Sequence, residues 1–300
     1  MKTTRVTSGI PAHPTESGDK YRGLSLMLAS AFLFAILGLL FKFLGPDFRI
    51  WDIAIYRFGG GAIILFSLFG RKQNLFKPQN PKMMLIRGIT GSIAFLTLVL
   101  SIRLIPLSTA MVFFYSYPAF AAMLSPLLFG DRISIADVIC VALAIVGVGV
   151  LFDFKFEGGI LGQLMALIGA VFAGLTVAII KKLRDTHGSA IIYFYFCLIG
   201  TAISIGPFSA DPQIPGTVRE WMVIGGIIFT SIVGQLLMNQ GFRYCKSWEG
   251  GLFMTSELIF VSIFGLLFLG EPFTWRFWIG GFLILLSAAA FNVFKWRANK

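Results

Sequence analysis

Charge is scarce in this sequence: Asp, Glu, Lys and Arg make up only 13% of the residues, about half the usual share of a water-soluble chain. A wetted surface for 300 residues cannot be assembled from so few ionic groups, which excludes an ordinary soluble domain. Histidine is nearly absent. The two copies, His13 and His187, lie outside the apolar stretches, so neither a His-Glu-x-x-His metal site nor a buried Ser-His pair exists. No Gly-x-x-x-x-Gly-Lys-Ser/Thr run occurs, which excludes a nucleotide-hydrolysing module within the chain. Of three cysteines, Cys140 and Cys197 sit inside apolar stretches and Cys245 near the end of one; they form no disulfide framework or thiolate cluster and read as reduced packing thiols.

What fills the chain instead is apolar: 57% of residues are hydrophobic and another 33 are glycine. A helix crosses the hydrocarbon core with about 20 apolar residues, so this length has room for about ten crossings and no sizeable soluble domain. Ser25 to Leu40 has the look of a signal peptide's apolar part, but no small-residue cleavage site follows it, and it reads as the first membrane helix. Between charged or Pro/Gly punctuation, the first five spans fall near Gly23 to Leu44, Trp51 to Phe69, Met83 to Ile102, Leu107 to Phe129 and Ile135 to Leu151. The other five fall near Ile160 to Ile180, Ser189 to Ile205, Trp221 to Gln240, Gly250 to Leu269 and Phe273 to Phe294. Gly45-Pro46-Asp47, Pro78 to Pro81, Gly158-Gly159 and Asp211-Pro212 supply the chain-turning residues between them. Residues 1–22 read as a polar, mobile tail and residues 295–300 as a second, short one.

The net charge of +11 raises the question of nucleic acid, but the basic residues fall at span ends and form no basic module. They report orientation. Counted by alternate loops and tails, 17 Lys and Arg fall on the side of the amino terminus and five on the other, Arg276 at the start of the last span being counted among the five, with Lys42, Arg57 and Arg87 deeper inside spans. The positive-inside bias then puts both termini in the cytoplasm, the membrane being the cell inner membrane.

A shift of 140 residues superposes Phe114 to Leu151 on Met254 to Phe291 without a gap, laying Gly130-Asp131 on Gly270-Glu271 and Arg103 on Arg243. A shift of 139 lays Gly23 on Gly162, Ala31 on Ala170 and Lys42 on Lys181. Each half therefore carries five spans, residues 23–152 and 160–294. Because five is odd, the copies cross the membrane in opposite directions, the arrangement with which carriers build alternating access around a midplane site.

On these residues the chain resembles the EamA-type transporters of the drug/metabolite transporter superfamily. The resemblance is carried by Arg103 to Ala110, Tyr117-Pro118 and Leu127 to Ser134 in the first half, and by Ser256-Glu257-Leu258 and Leu266 to Pro272 in the second. Leu258 stands where the family often has the proline that kinks the ninth helix. Arg57 matches a frequent second-helix arginine, and Arg87-Gly88 is similar to a variant of some branches. The resemblance implies an all-helical fold of ten spans, a central cavity, and passage of amino acids, nucleosides or similar solutes.

Candidate solute-handling residues follow from polarity inside apolar spans. Glu257, near the centre of the ninth span, costs about 2.5–3.5 kcal/mol to insert and must face a cavity or a partner. It is read either as a proton carrier or ammonium acceptor, or as a structural carboxyl. Tyr115, Ser116 and Tyr117 form a polar aromatic patch beside Pro118, read as a cavity wall or as packing. Ser231, Gln235 and Asn239 recur every four residues and share one helix face, suited to a solute or to a neighbouring helix. Arg57 is read as a partner of Asp52 or as a contact for a substrate anion; Arg87 lies near a rim. Asp131 and Glu271 cap helix ends, and Gly59, Gly60, Gly61, Gly88, Gly91, Gly225, Gly226, Gly280 and Gly281 permit close helix approach.

The expectation is thus an all-α polytopic membrane protein of ten transmembrane helices in two inverted five-helix repeats, working as a secondary transporter and not an enzyme. Its solute is a small metabolite, with amino acids or their derivatives first, and nucleotide-sugar or sugar-phosphate exchange or a non-transporting scaffold as alternatives. Expected partners are that small-molecule substrate and the lipid bilayer, with proton coupling and a homodimer left open, and with no nucleic acid, metal or cofactor.

Overall fold

The computed structural model describes residues 17–71, 75–76, 78–117, 119–121, 123–124, 135–151, 159–183, 186–244, 254–271 and 274–298. Among these, ten helices succeed one another: α1 (Ser17–Phe43), α2 (Ile50–Phe69), α3 (Pro81–Leu104), α4 (Leu107–Phe114), α5 (Ile135–Leu151), α6 (Ile160–Leu183), α7 (Ser189–Ala210), α8 (Val218–Tyr244), α9 (Ser256–Leu269) and α10 (Trp275–Ala298). Six of them, α1, α2, α3, α6, α7 and α8, are individually long and apolar enough to cross a bilayer.

Local chemistry sets several of the ends. At α3, Asn80 accepts a hydrogen bond from the Met83 N–H at 3.1 Å, and Pro81 occupies the first helical position, where its missing N–H costs nothing. At α2, the Asp52 carboxylate reaches back to the Arg49 N–H at 2.7 Å. At α9, Gly270 adopts φ 61°, a left-handed stop that a side chain would resist. Helix α1 begins at Ser17, so the polar segment expected to end as a tail at residue 22 is helical from Ser17 onward.

The fourth and ninth helices depart from the expected continuous spans. Helix α4 stops at Phe114, and the backbone turns through Tyr115 and Ser116 before residues 117, 119–121 and 123–124 are helical again. A proline inside a helix removes a donor and crowds the carbonyl four residues earlier, and in the sequence position 118 follows Phe114, where the helix stops, by four residues. In the second half Met254 is helical, Thr255 forms a turn, and α9 starts at Ser256. The two turns fall on the same place in the 140-residue alignment, since Tyr115 and Ser116 pair with Thr255 and Ser256. Helix α9 turns here although Leu258 replaces the kinking proline.

Packing follows the same correspondence. Helix α1 packs along α8 as α6 packs along α3, α1 touches α9 as α6 touches α4, and α2 touches α8 as α7 touches α3. The pairs α2 with α7, α4 with α9 and α5 with α10 join equivalent helices of the two halves. Single residues repeat it: Ser30 Oγ donates to the Gly234 carbonyl at 2.8 Å, and the equivalent Gly169 lies against the Ala94 carbonyl. The exterior is apolar, with Ile63, Phe66, Leu267 and Phe282 more than half exposed, whereas Asp52, Arg57, Arg87, Gln235, Asn239 and Glu257 are buried. That inside-out distribution suits a hydrocarbon solvent, which solvates apolar side chains and leaves polar ones to find partners within the protein.

Candidate functional site

Two polar clusters in the interior of the described residues hold most of the candidate side chains. The first lies at the interrupted helices. Glu257 occupies the first turn of α9, where the helix begins, and not the middle of a continuous span as the sequence suggested. The amino-terminal end of a helix carries partial positive charge, which favours a carboxylate. The Tyr115 hydroxyl, from the turn after α4, stands 2.6 Å from Glu257 Oε2 and 2.9 Å from the Met254 carbonyl oxygen. One hydroxyl proton serves one of these acceptors at a time. Tyr117, the repeat equivalent of Glu257, packs against Tyr115 with ring centroids 5.7 Å apart. Position 257 of one half and the turn of the other thus meet in the interior. Ser116 is buried and donates to the Phe113 carbonyl at 2.6 Å, so it closes the turn. Pro118 and Asp131 lie outside the described residues.

The second cluster lies between α2, α3, α7 and α8. Arg57, two turns into α2, sends Nε to Ser231 Oγ on α8 at 2.7 Å, and the Tyr193 hydroxyl of α7 lies 3.0 Å from the same oxygen. The guanidinium carbon stands 4.0 Å from the Phe95 ring centroid and 5.1 Å from that of Phe58. Asp52 is not its partner. That carboxylate is held by Arg49, at 3.2 Å from Nε, and it accepts from the Gln213 N–H at 3.4 Å; Arg49 also reaches Asp211 at 3.1 Å. The reason is position: Asp52 turns back over the mouth of α2, while Arg57 is five residues deeper and faces α8.

Arg87, read in the sequence as lying near a rim, is buried, at 3% exposure. Its guanidinium carbon lies 4.0 Å from the Phe196 ring centroid, and that of Arg57 lies 5.6 Å from the same ring, which puts the two cations within about 10 Å of each other. At an effective dielectric of about 20, their repulsion is at least about 1.7 kcal/mol. Ring faces offset part of that cost through cation–π attraction. They do not satisfy the in-plane donors: Arg57 Nη1 and Arg87 Nε and Nη1 are buried without a hydrogen-bond partner.

Gln235 and Asn239 continue the Ser231 face of α8 and are 8% and 5% exposed. Neither amide bonds to another helix among the described residues. Glu271 accepts from the Leu107 and Ser108 N–H groups, the latter at 3.0 Å, and so caps α4 as expected of a helix-capping acid. The glycines divide. A Cβ on Gly60, Gly61, Gly88, Gly91 or Gly226 would meet a neighbouring side chain at 3.0 Å or less, whereas one on Gly225 would meet nothing within 4 Å. Sequence reasoning missed Tyr193, Phe95 and Phe196 because an aromatic in an apolar span carries no signal of facing a cation. Arg87 did carry one, being an arginine inside a span.

An apolar exterior of long helices around a polar, partly unpaired interior defines a multi-pass membrane protein. Sequence comparison supplies the rest: residues 21–152 and again 160–293 match the EamA-like transporter family. The chain belongs to that family and is a membrane transporter. It is 24% identical over 271 residues to the pseudopaline exporter of Pseudomonas aeruginosa, covering 90% of this chain and 95% of the relative. It is likewise 24% identical over 293 residues to solute carrier family 35 member G1 of Homo sapiens, covering 91% and 80%. A protein of known crystal structure, 17% identical, shares the fold with a TM-score of 0.65 over 93% of this chain and 99% of its own.

Proposed function

We propose that this transporter moves a small metabolite across the cell inner membrane by alternating access, with its two halves arranged as inverted five-helix repeats of a ten-span protein. The observation that carries the reading is the pair of helix interruptions at equivalent positions, joined by Tyr115 and Glu257 at 2.6 Å. Broken helices at matching places of two halves are where secondary carriers build their solute and ion sites, because backbone groups freed from the helix ladder need partners. The exchange symmetry of the helix packing supports the repeat.

In this reading Glu257, Tyr115 and Tyr117 form one wall of the solute path, and Arg57, Ser231, Gln235 and Asn239 the other. Two states of the bundle expose these walls to opposite sides in turn. Amino acids or their derivatives are the proposed substrate class, by family resemblance; the Pseudomonas relative bears the name of an exporter of pseudopaline. A sugar-phosphate or nucleotide-sugar exchanger is the second reading, favoured by the convergence of Arg57 and Arg87 on Phe196. Reconstituted proteoliposomes loaded with a mixed amino-acid and sugar-phosphate pool test the proposal. Time-dependent loss of a subset of solutes, measured by mass spectrometry against empty liposomes, is expected. A well-folded protein that releases none from broad metabolite pools is the result required by the scaffold alternative.

A further inference from the structure

We propose that the solute is an oxyanion, a carboxylate or phosphate ester, and that Arg57 and Arg87 grip it from two sides with Tyr193 and Ser231 as neutral neighbours. The proposal rests on the transporter reading and narrows its substrate class. Three observations lead to it.

First, the two guanidinium groups are buried in the bundle, at 5% and 3% exposure, and share the Phe196 ring. Second, the buried acids of the described residues are occupied elsewhere. Asp52 is held by Arg49, Glu257 by Tyr115, and Glu271 by the first turn of α4. Two positive charges therefore stand in the membrane interior with no described carboxylate against them. Third, the unmet groups are of one kind. Arg57 Nη1 and Arg87 Nε and Nη1 are N–H donors in the guanidinium plane. The Phe95 and Phe196 rings stand 4.0 Å from the two guanidinium carbons, and a ring supplies no acceptor for those donors. A buried guanidinium whose in-plane N–H donors lack acceptors is matched by the two-oxygen fork of a carboxylate or phosphate. An ammonium or a neutral sugar would leave both charges uncompensated.

Ser231 extends the site. Its hydroxyl accepts from Arg57 Nε and neighbours the Tyr193 hydroxyl, so it ties the α2 cation to α7 and α8. Anion entry then neutralises a repulsion between α2 and α3, giving the loaded carrier a different balance of helix contacts from the empty one.

The test uses the full-length protein in nanodiscs with phenylglyoxal, which modifies arginine when water reaches it, and peptide mass spectrometry to read Arg57 and Arg87 separately. The probes are succinate, glutamate and inorganic phosphate, against succinamide and chloride at matched ionic strength. Modification of both arginines is expected, slowed about tenfold at ten times the half-protecting concentration of at least one oxyanion, and unaffected by succinamide. In the Arg57→Lys protein, which keeps the charge and loses the fork, the concentration protecting Arg87 is expected to rise about tenfold or more. Absence of modification, modification that none of the three oxyanions slows, or equal protection by chloride overturns the proposal. Proteoliposome flux separates it from the reading beneath it. Transport of a neutral or purely cationic solute refutes the oxyanion and leaves the transporter, whereas oxyanion protection without any flux refutes the carrier and leaves the site.

Discussion

A single hydroxyl proton on Tyr115 faces two acceptors, and the protonation of Glu257 decides between them. With the carboxylate ionised, Tyr115 donates to Oε2 at 2.6 Å; with it protonated, the carboxyl O–H donates to Tyr115, whose own proton is released to the Met254 carbonyl at 2.9 Å. In both arrangements Tyr115 and Glu257 stay hydrogen-bonded to each other, so protonation exchanges the acceptor of Tyr115 without parting the pair. An amide in place of the carboxyl donates as the protonated acid does. The Glu257→Gln protein is therefore expected to fold, to exchange solute between equal pools at near wild-type rate, and to lose pH-driven accumulation. Uptake into proteoliposomes with and without an imposed pH difference, beside a size-exclusion trace, measures this. Full pH-driven accumulation by the folded variant removes Glu257 from coupling; a lost fold assigns it to structure. Arg57 is held from across the bundle. Its partner is Ser231 on α8, 174 positions away, and the acid five residues earlier on its own helix belongs to Arg49.

Between elements, the contact that positions the cation cluster is the approach of α7 to α2. A Cβ on Gly200 would stand 2.5–2.7 Å from ring carbons of Phe58, which is fully buried between Phe95 and Phe196 with centroids 5.0 and 4.9 Å away. The ring has no room to yield. Gly200→Ala is expected to destabilise the protein by about 1–3 kcal/mol through overpacking, and to impair transport by displacing the rings that flank Arg57. Gly225→Ala, whose added carbon meets nothing within 4 Å, is expected to be neutral or to stabilise α8 by up to about 1 kcal/mol. Thermal unfolding of the two variants in one detergent compares them. Equal midpoints would mean that the α2 and α7 backbones part more easily than this packing implies.

For the whole molecule, the distribution of Lys and Arg sets the expected orientation. With seventeen on one side against five on the other, both termini are expected in the cytoplasm, since positively charged loops resist translocation. Described contacts group the poorly charged loops together: Arg103 donates to the carbonyls of Gly45, at 2.5 Å, and Phe48, and Arg49 meets Asp211 at 3.1 Å. Carboxyl-terminal fusions give the measurement. A fluorescent reporter is expected to glow and alkaline phosphatase to stay inactive; the opposite pattern inverts the topology and moves the Arg49, Asp52 and Asp211 network to the cytoplasmic face.

Where the apolar runs lie, and so where helices form, was legible in the sequence because hydrocarbon thickness imposes a length that a reader can count. The span at Ile135 to Leu151 coincides with α5, and the start of α6 at Ile160 was read to the residue. Family membership was legible too, in the runs around Arg103 and Glu257. The stop in α4 was half legible, through Pro118; the turn at Thr255 was not, because no proline marks it. Which side chains meet was decided by the tertiary structure alone. In a soluble helix, polarity tells the inner face from the outer, but lipid and protein interior are both apolar, so an arginine inside a span announces burial and not its neighbour. Rotation and depth of α2, α3 and α7 bring Arg57 and Arg87 to one phenylalanine, and the separation of 30 residues between them in the chain holds no trace of that meeting.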